Sequence, residues 1–205
     1  MQNEIDADDV EKLINGTCEK EKTSMEWPEL GNLFVTTPEL TINDNKSFIN
    51  KQPPPAFESS SDLESIGLQP SLANRVNLPM TPLQSELLSL INSYKDIYYP
   101  YRTFDNAEQI RQVYTIHALN YIFKTRACVM LNTKKIEEEE SKNSGLVIDD
   151  LYRDQGLARP KVLIVTPFRD SAYRIVNIMS EIIKKKETGN YCYKKQNILS
   201  VFIQS

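Results

Sequence analysis

The sequence predicts an α/β fold that begins near Thr81 and is preceded by a mostly disordered acidic segment. Three observations carry this. Apolar residues recur at helical spacing in separate segments after Thr81, an apolar run at 161–166 reads as a strand, and charge and aromatic content change at residue 80. Residues 1–80 hold 6 Lys or Arg against 14 Asp or Glu, a net of −8; residues 81–205 hold 18 against 14, a net of +4. All 10 tyrosines stand at Tyr94 or later.

The first 80 residues include Pro53-Pro54-Pro55 and Ser59-Ser60-Ser61 and few β-branched clusters. So little apolar surface does not offset the entropy of ordering a chain, which predicts disorder for most of the segment. One patch stands apart. Trp27, the only Trp, lies close to Leu30, Leu33 and Phe34. Trp27, Leu30 and Phe34 read as a short peptide that docks on a partner or back onto its own domain, with the aromatic as anchor. The alternative is an unstructured sticky patch, and docking is preferred because an exposed cluster of this kind promotes aggregation.

Order is expected from Thr81-Pro82, since proline suits a first helical turn. Leu83, Leu87, Leu88, Leu90 and Ile91 then recur at helical spacing to about Tyr94. Tyr98-Tyr99-Pro100-Tyr101 breaks the pattern. Asp105 and Glu108 resemble a capping box, followed by an apolar face from Ile110 through Val113, Ile116, Leu119 and Phe123, which predicts a helix to about Leu131. The Glu137–Glu140 run reads as an exposed loop. Lys161–Thr166 is apolar without alternation, as in a parallel strand covered on both faces. Pro167 ends it. Asp170 or Ser171 can cap a helix that presents Ile175, Ile178, Met179, Ile182 and Ile183 on one face. Only Cys128–Leu131, Leu146–Ile148 and Asn197–Ile203 offer weak further strands, so the domain is expected to be incomplete.

Composition narrows the function classes. Hydrophobic residues make up 40% and charged residues 25%, the balance of a soluble protein with a modest core. No apolar run approaches the roughly 18 residues of a membrane span, and the acidic Met1–Val10 lacks the features of a signal peptide. The expectation is an unsecreted protein without membrane contact. Cys18, Cys128 and Cys192 are odd in number and widely spaced, which suits reduced thiols. With His117 the only histidine, no metal site is expected.

A phosphate-binding loop needs glycines ahead of Lys and Ser or Thr, so that backbone amides can surround the anion. Lys22-Thr23, Lys46-Ser47 and Lys124-Thr125 all lack them, and no dinucleotide fingerprint exists among 6 scattered glycines. No cofactor is expected. His117 reads as a packed, hydrogen-bonded histidine rather than a general base, Cys128 as a small core residue, and Asp149-Asp150 as ordinary loop acids. No catalytic residues are predicted. Arg169 is more informative, because it follows the C-terminal end of the 161–166 strand, where open α/β sheets bind ligands. There it could grip a phosphate, or merely pair with Asp170 or solvent; the residues alone leave both readings open.

Val162–Ala172 resembles the Pro-Thr-Arg-Glu-Leu-Ala motif of DEAD-box helicases, with Arg169 and Asp170 matching and Phe168 and Ser171 departing. That resemblance implies an RNA-backbone contact for Arg169. A wider resemblance spans roughly residues 24–186. Trp27-Pro28-Glu29-Leu30-Gly31, Thr81–Leu87, Asn92–Thr103, Ile110-Arg111, His117–Asn120 and Arg153–Ile164 are similar, in order, to the digestive organ expansion factor family of U3 small nucleolar RNA-associated proteins.

What the resemblance implies is an incomplete, degenerate DEAD-box-helicase-like (RecA-like) first lobe. The layout is then a mostly disordered acidic tail with a docking patch at 1–80, the start of the helicase-like domain at 81–186, and a divergent tail at 187–205, of which Tyr191–Ser205 reads as an alternative or premature ending. It also implies a nucleolar, non-enzymatic component of the small-subunit processome, working in 18S pre-rRNA processing as an RNA- and protein-binding scaffold. The implied partners are U3 small nucleolar RNA, pre-rRNA and processome proteins. An ATP-dependent RNA helicase and a protein-interaction adaptor are the alternatives.

Overall fold

The computed structural model describes residues 7–38, 52–141 and 160–184. Their core is organised on two helices, α4 (Pro82–Ile91) and α5 (Ala107–Ser141), whose Leu87, Leu88 and Leu90, and Val113, Ile116 and Leu119, join one apolar cluster. Helix α4 begins where the sequence signals put it. Thr81 Oγ1 accepts from the Gln84 amide at 3.3 Å, Gln84 Oε1 accepts from the Thr81 amide at 3.0 Å, and Pro82 fills the first turn, where no amide proton is needed.

Helix α5 differs from expectation at both ends. At its start Thr103 and Asn106 bond reciprocally, the Thr103 amide to Asn106 Oδ1 at 2.7 Å and the Asn106 amide to Thr103 Oγ1 at 3.4 Å. Asp105 and Glu108 form no capping box, because Glu108 is engaged by two arginines instead. At the other end α5 runs past Leu131 and through the Glu137–Glu140 run, reaching 35 residues, or about 52 Å at 1.5 Å per residue. Glu and Lys are strong helix formers, and Lys134 stands 3.7 Å from Glu138 one turn on, so a charged run continues the helix. Cys128–Leu131 is thus helical, not a strand. Cys128 is exposed, not in the core, because α5 has left the apolar cluster by that point. Leu146–Ile148, Asp149-Asp150, Cys192, residues 187–205 and the weak strand Asn197–Ile203 lie outside the described residues.

The described part of residues 1–80 corrects the expectation of a mostly disordered acidic tail. It holds α1 (Ala7–Ile14), an antiparallel hairpin of β1 (Lys20–Trp27) and β2 (Gly31–Pro38), α2 (Ser60–Ser65) and α3 (Pro70–Ala73). Trp27, Leu30, Phe57, Leu63, Leu68, Leu72 and Met80 all enter the core. Averaged charge and hydropathy do not register a few large side chains set far apart, each of which finds a place in the α4–α5 cluster. Burying one such side chain stabilises by about 1.5–3 kcal/mol against about 1–2 kcal/mol for each backbone residue ordered, so these segments are held by several anchors together with their hydrogen bonds.

Lys161–Thr166 also departs from its reading. It pairs with no strand among the described residues, whose sheet is the β1–β2 hairpin. Val162, Ile164 and Thr166 are half-buried while Leu163 and Val165 are exposed, so the segment is extended with one side covered. Helix α6 (Arg169–Lys184) follows, and the Ala172 amide bonds back to the Phe168 carbonyl at 3.3 Å, which puts Phe168 rather than Asp170 or Ser171 at the cap. Its apolar face follows the predicted spacing, with Ile175 and Ile182 buried and Ile178, Met179 and Ile183 packed against the core. Arg75 donates to the Ile183 carbonyl at 3.0 Å, covering one of the open carbonyls at the helix end.

Two buried polar side chains fasten the N-terminal elements. Glu86 of α4, 4% exposed, accepts from the amides of Glu29 (3.1 Å) and Leu30 (3.0 Å) at the hairpin tip. Asn120 of α5 accepts from the Gln69 amide at 2.9 Å and donates to the Gly67 carbonyl at 3.2 Å. Gly67 closes α2 at φ 85°, where its amide bonds to the Glu64 carbonyl and that of Leu68 to the Leu63 carbonyl; a side chain would strain this turn. Glu86→Ala leaves two amides of the docked turn unpaired and is expected to lower unfolding stability by about 2–4 kcal/mol in a denaturant titration. An unchanged midpoint would show that the hairpin tip does not depend on this carboxylate.

Candidate nucleic-acid interface

Helix α4 ends at Ile91, and the amides of Ser93 and Tyr94 bond back to the carbonyls of Leu90 (3.2 Å) and Ile91 (3.1 Å). Tyr94 takes φ 57°, a left-handed conformation that costs a residue with a Cβ roughly 1–2 kcal/mol. In this position its ring centroid stands 5.0 Å from that of His117 and 6.1 Å from that of Tyr121, both on α5 one turn apart. Lys124, on the next turn of α5, holds its Nζ 5.5 Å from the Tyr94 centroid, in range of a cation–π attraction.

Below these rings lies a network of side-chain amides. Asn92 Nδ2 donates to the Ile66 carbonyl, and Asn92 Oδ1 accepts from Asn120 Nδ2 at 3.2 Å. The atom of Asn92 that faces His117 Nδ1 at 3.3 Å is therefore an acceptor, so Nδ1 carries the proton. Burial first, and Lys124 second, hold the imidazole pKa below its ordinary value of 6.5. His117 is the packed, hydrogen-bonded histidine that the sequence suggests.

The aromatic cluster forms the floor of a groove of about 730 Å³ between α5 and the extended segment 161–167. Arg102, Arg111 and Lys161 line it, and no carboxylate does among the described residues. The Arg111 side chain is 5% exposed and pairs with Glu108, yet its Nε has no hydrogen-bond partner among the described residues. Glu108 also receives Arg174 of α6 at 2.9 Å, which ties α6 to the start of α5. The hydrogen bond from Arg111 above all, and then that from Arg174, hold the Glu108 carboxyl below the usual range against partial desolvation.

Arg169 is the first residue of α6 and is exposed. It makes no ion pair among the described residues, because Asp170 is taken by Arg174 at 2.7 Å. It stands two residues past Pro167, the end of the groove wall. Trp27, Leu30 and Phe34 are divided. Trp27 and Leu30 are buried in this chain's own core, at 2% and 5% exposure, whereas Phe34 is 83% exposed. Phe34 pairs with Ser24 in the hairpin and its neighbour Leu33 with Met25, so alternation along the strand turns Leu33 to the core and Phe34 outward. Sequence reasoning passed over Tyr94, Tyr121, Arg102 and Arg111 as a group. The confinement of all tyrosines to the second part was the signal available.

Among the described residues no group of three or more His, Cys, Asp or Glu is placed to hold a metal, and no helix is long and apolar enough to cross a membrane. Because His117 is held neutral, its share of stability is fully present above about pH 6.5 and is lost as pH falls through its lower folded value. His117→Gln is expected to remove that part of the decline in melting temperature between pH 7 and pH 5. Parallel pH profiles for the two proteins would show that His117 does not titrate as described.

Comparison with known proteins gives a consistent result. The human U3 small nucleolar RNA-associated protein 25 homolog is 37% identical over 191 residues, covering 85% of this chain and 24% of the relative. The Xenopus tropicalis homolog is 39% identical over 194 residues, covering 88% and 23%, and the Kluyveromyces lactis protein 40% over 104 residues, covering 51% and 14%. The chain spans about a quarter of the length of the first two. No solved structure matches. The family described as UTP25, NTP hydrolase-like domain matches residues 94–204, which includes all but the last residue of the stretch 187–205 expected to diverge. More than half of the chain is covered by that match, and the chain belongs to the UTP25 family.

Proposed function

We propose that this chain works in ribosome biogenesis, within the small-subunit processome and in 18S pre-rRNA processing, as a non-enzymatic scaffold that binds RNA and protein in the nucleolus. The observation that carries this reading is its membership of the UTP25 family, together with relatives named for association with U3 small nucleolar RNA. In this reading residues 81–186 are the start of a RecA-like first lobe, with the earlier hairpin and helices packed onto it, and the partners are U3 small nucleolar RNA, pre-rRNA and processome proteins.

The surface chemistry agrees with an RNA ligand. Arg169 is an exposed cation at a helix N-terminus, where anions are favoured, and a groove lined by Arg102, Arg111 and Lys161, with no carboxylate among the described residues, lies beside it. Within the 205 residues no glycine-rich loop is present to cradle a nucleotide triphosphate, which favours the scaffold over an ATP-dependent RNA helicase. RNA-stimulated ATP hydrolysis by the full-length protein would reverse that preference. A protein-interaction adaptor is the second reading, and the exposed ring of Phe34 favours it.

If Arg169 contacts a phosphate, Arg169→Ala should weaken binding to all RNA sequences alike. It should also lower the slope of log affinity against log salt by about 0.7, one contact's worth on a single strand. Unchanged affinity and slope would remove Arg169 from the interface. For the whole reading, the tagged chain expressed in cells should recover U3 small nucleolar RNA above an unrelated abundant RNA. Recovery at background level would count against processome association. Loss of recovery in Phe34→Ala, with an unchanged melting temperature and unchanged RNA affinity in vitro, would favour the adaptor.

A further inference from the structure

The groove has features that an Arg169 contact does not explain. Its floor carries Tyr94, His117 and Tyr121 in ring contact, although the chain could have avoided a left-handed tyrosine by placing glycine there. Its lining brings Arg102, Arg111 and Lys161 together without a carboxylate among the described residues. One of those cations, Arg111, is nineteen-twentieths buried and keeps an unpartnered Nε. Such an atom is costly unless a ligand or solvent satisfies it. The volume, about 730 Å³, falls within the range of small-ligand sites.

We infer that this groove binds a nucleotide of a single-stranded RNA, with the base stacked on Tyr94 and Tyr121 and the flanking phosphates held by Arg102 and Lys161. The inference rests on the RNA-binding reading above and names the group that is recognised. Aromatic rings beside cations match a nucleotide, whose base offers a π face and whose phosphate carries charge. An apolar peptide would leave those cations without a counter-charge. A duplex keeps its bases stacked on one another, so rings set in a groove select unpaired nucleotides. A free nucleotide shares the chemistry, but its clustered phosphates call for a glycine-rich cradle of amides, and no glycine lines the groove among the described residues. A strand instead spreads its charge along its length. Arg169, two residues past the wall, is placed for the next phosphate of such a strand.

The test uses the full 205-residue chain with fluorescently labelled single-stranded RNA decamers, by anisotropy at several salt concentrations. Tyr94→Gly suits the left-handed backbone while removing the ring with the rest of the side chain; Tyr121→Leu keeps an apolar side chain on α5. Each is expected to weaken single-strand binding by about 5- to 100-fold with the salt slope unchanged, in contrast to Arg169→Ala, which changes the slope. A blunt duplex of the same length should compete poorly. Independently of any variant's stability, photo-crosslinking of a 4-thiouridine decamer to the unaltered chain should label the peptides that contain Tyr94 or Tyr121.

Decamer binding that survives both substitutions, with crosslinks elsewhere, overturns the groove assignment and leaves the RNA reading standing. No binding by the unaltered chain overturns both. Displacement of the decamer by AMP or UMP at matching nucleotide concentration overturns the polymer and assigns the groove to a free nucleotide.

Discussion

Asn120 holds the described structure together. Its side chain has no exposure at all, and both ends of its amide are engaged. Its Oδ1 accepts from the Gln69 amide, and its Nδ2 donates to the Gly67 carbonyl and to Asn92 Oδ1. Three parts of the chain, the α2–α3 turn, the end of α4 and the middle of α5, are thereby fixed to one another at one point. Burying an amide costs a few kcal/mol unless its bonds are met, so a near miss at this site would be worse than no polar group. The arrangement is specific in a way that leucine packing alone is not. It also sets the groove, because Asn92 presents His117 with an acceptor and the chain then turns through Tyr94 onto the same face of α5.

Glu86 plays the same part at the hairpin. Its carboxylate is buried on α4 and satisfied by two backbone amides of the tip, with no cation among these partners. Trp27 and Leu30 flank those amides and enter the core, so polar and apolar contacts seat the tip together. This explains how a segment with a net charge of −8 can still be ordered in its described parts. The charges lie mostly on exposed faces, and order is supplied by a handful of anchors that depend on α4 and α5 already being in place. Phe57 shows the same dependence, its amide donating to Ser85 Oγ and its carbonyl accepting from the Met80 amide.

Legibility in the sequence followed the range of the interactions. The start of α4 at Thr81-Pro82 and the apolar face of α6 are local patterns legible in the sequence, because Pro82, or Ile175 and Ile182, act within a turn or two. The length of α5 is not legible in the same way, because a glutamate run resembles an exposed loop while helix propensity and an i to i+4 pair extend the helix through it. The order in the N-terminal part is invisible to composition, since its anchors find their partners far along the chain, 56 positions for Leu30 with Glu86, 51 for Gln69 with Asn120 and 28 for Phe57 with Ser85. For the site, the strand–Pro–helix motif singles out Arg169 as a candidate, whereas the groove needs Tyr94, Tyr121 and Arg111 brought together by the close of one helix on another.

The segment 161–166 shows how the fold and the site depend on each other. Its residues suit a strand buried on two faces, yet in the described structure a single face, Val162, Ile164 and Thr166, is half-buried. Pleating places these residues on one side and Leu163 and Val165 on the other, so the extended form turns alternate side chains toward the groove it shares with α5, with no neighbouring strand among the described residues. The segment is held at its far end by α6, through Ile175 and Ile182 in the core and Arg174 on Glu108. Glu108 also neutralises part of Arg111 in the groove. The same carboxylate therefore holds the wall in place and tempers the charge behind it, and protonating Glu108 would loosen the wall while making the groove more cationic. Wall position and groove charge are in this way two consequences of one ionised side chain at the start of α5.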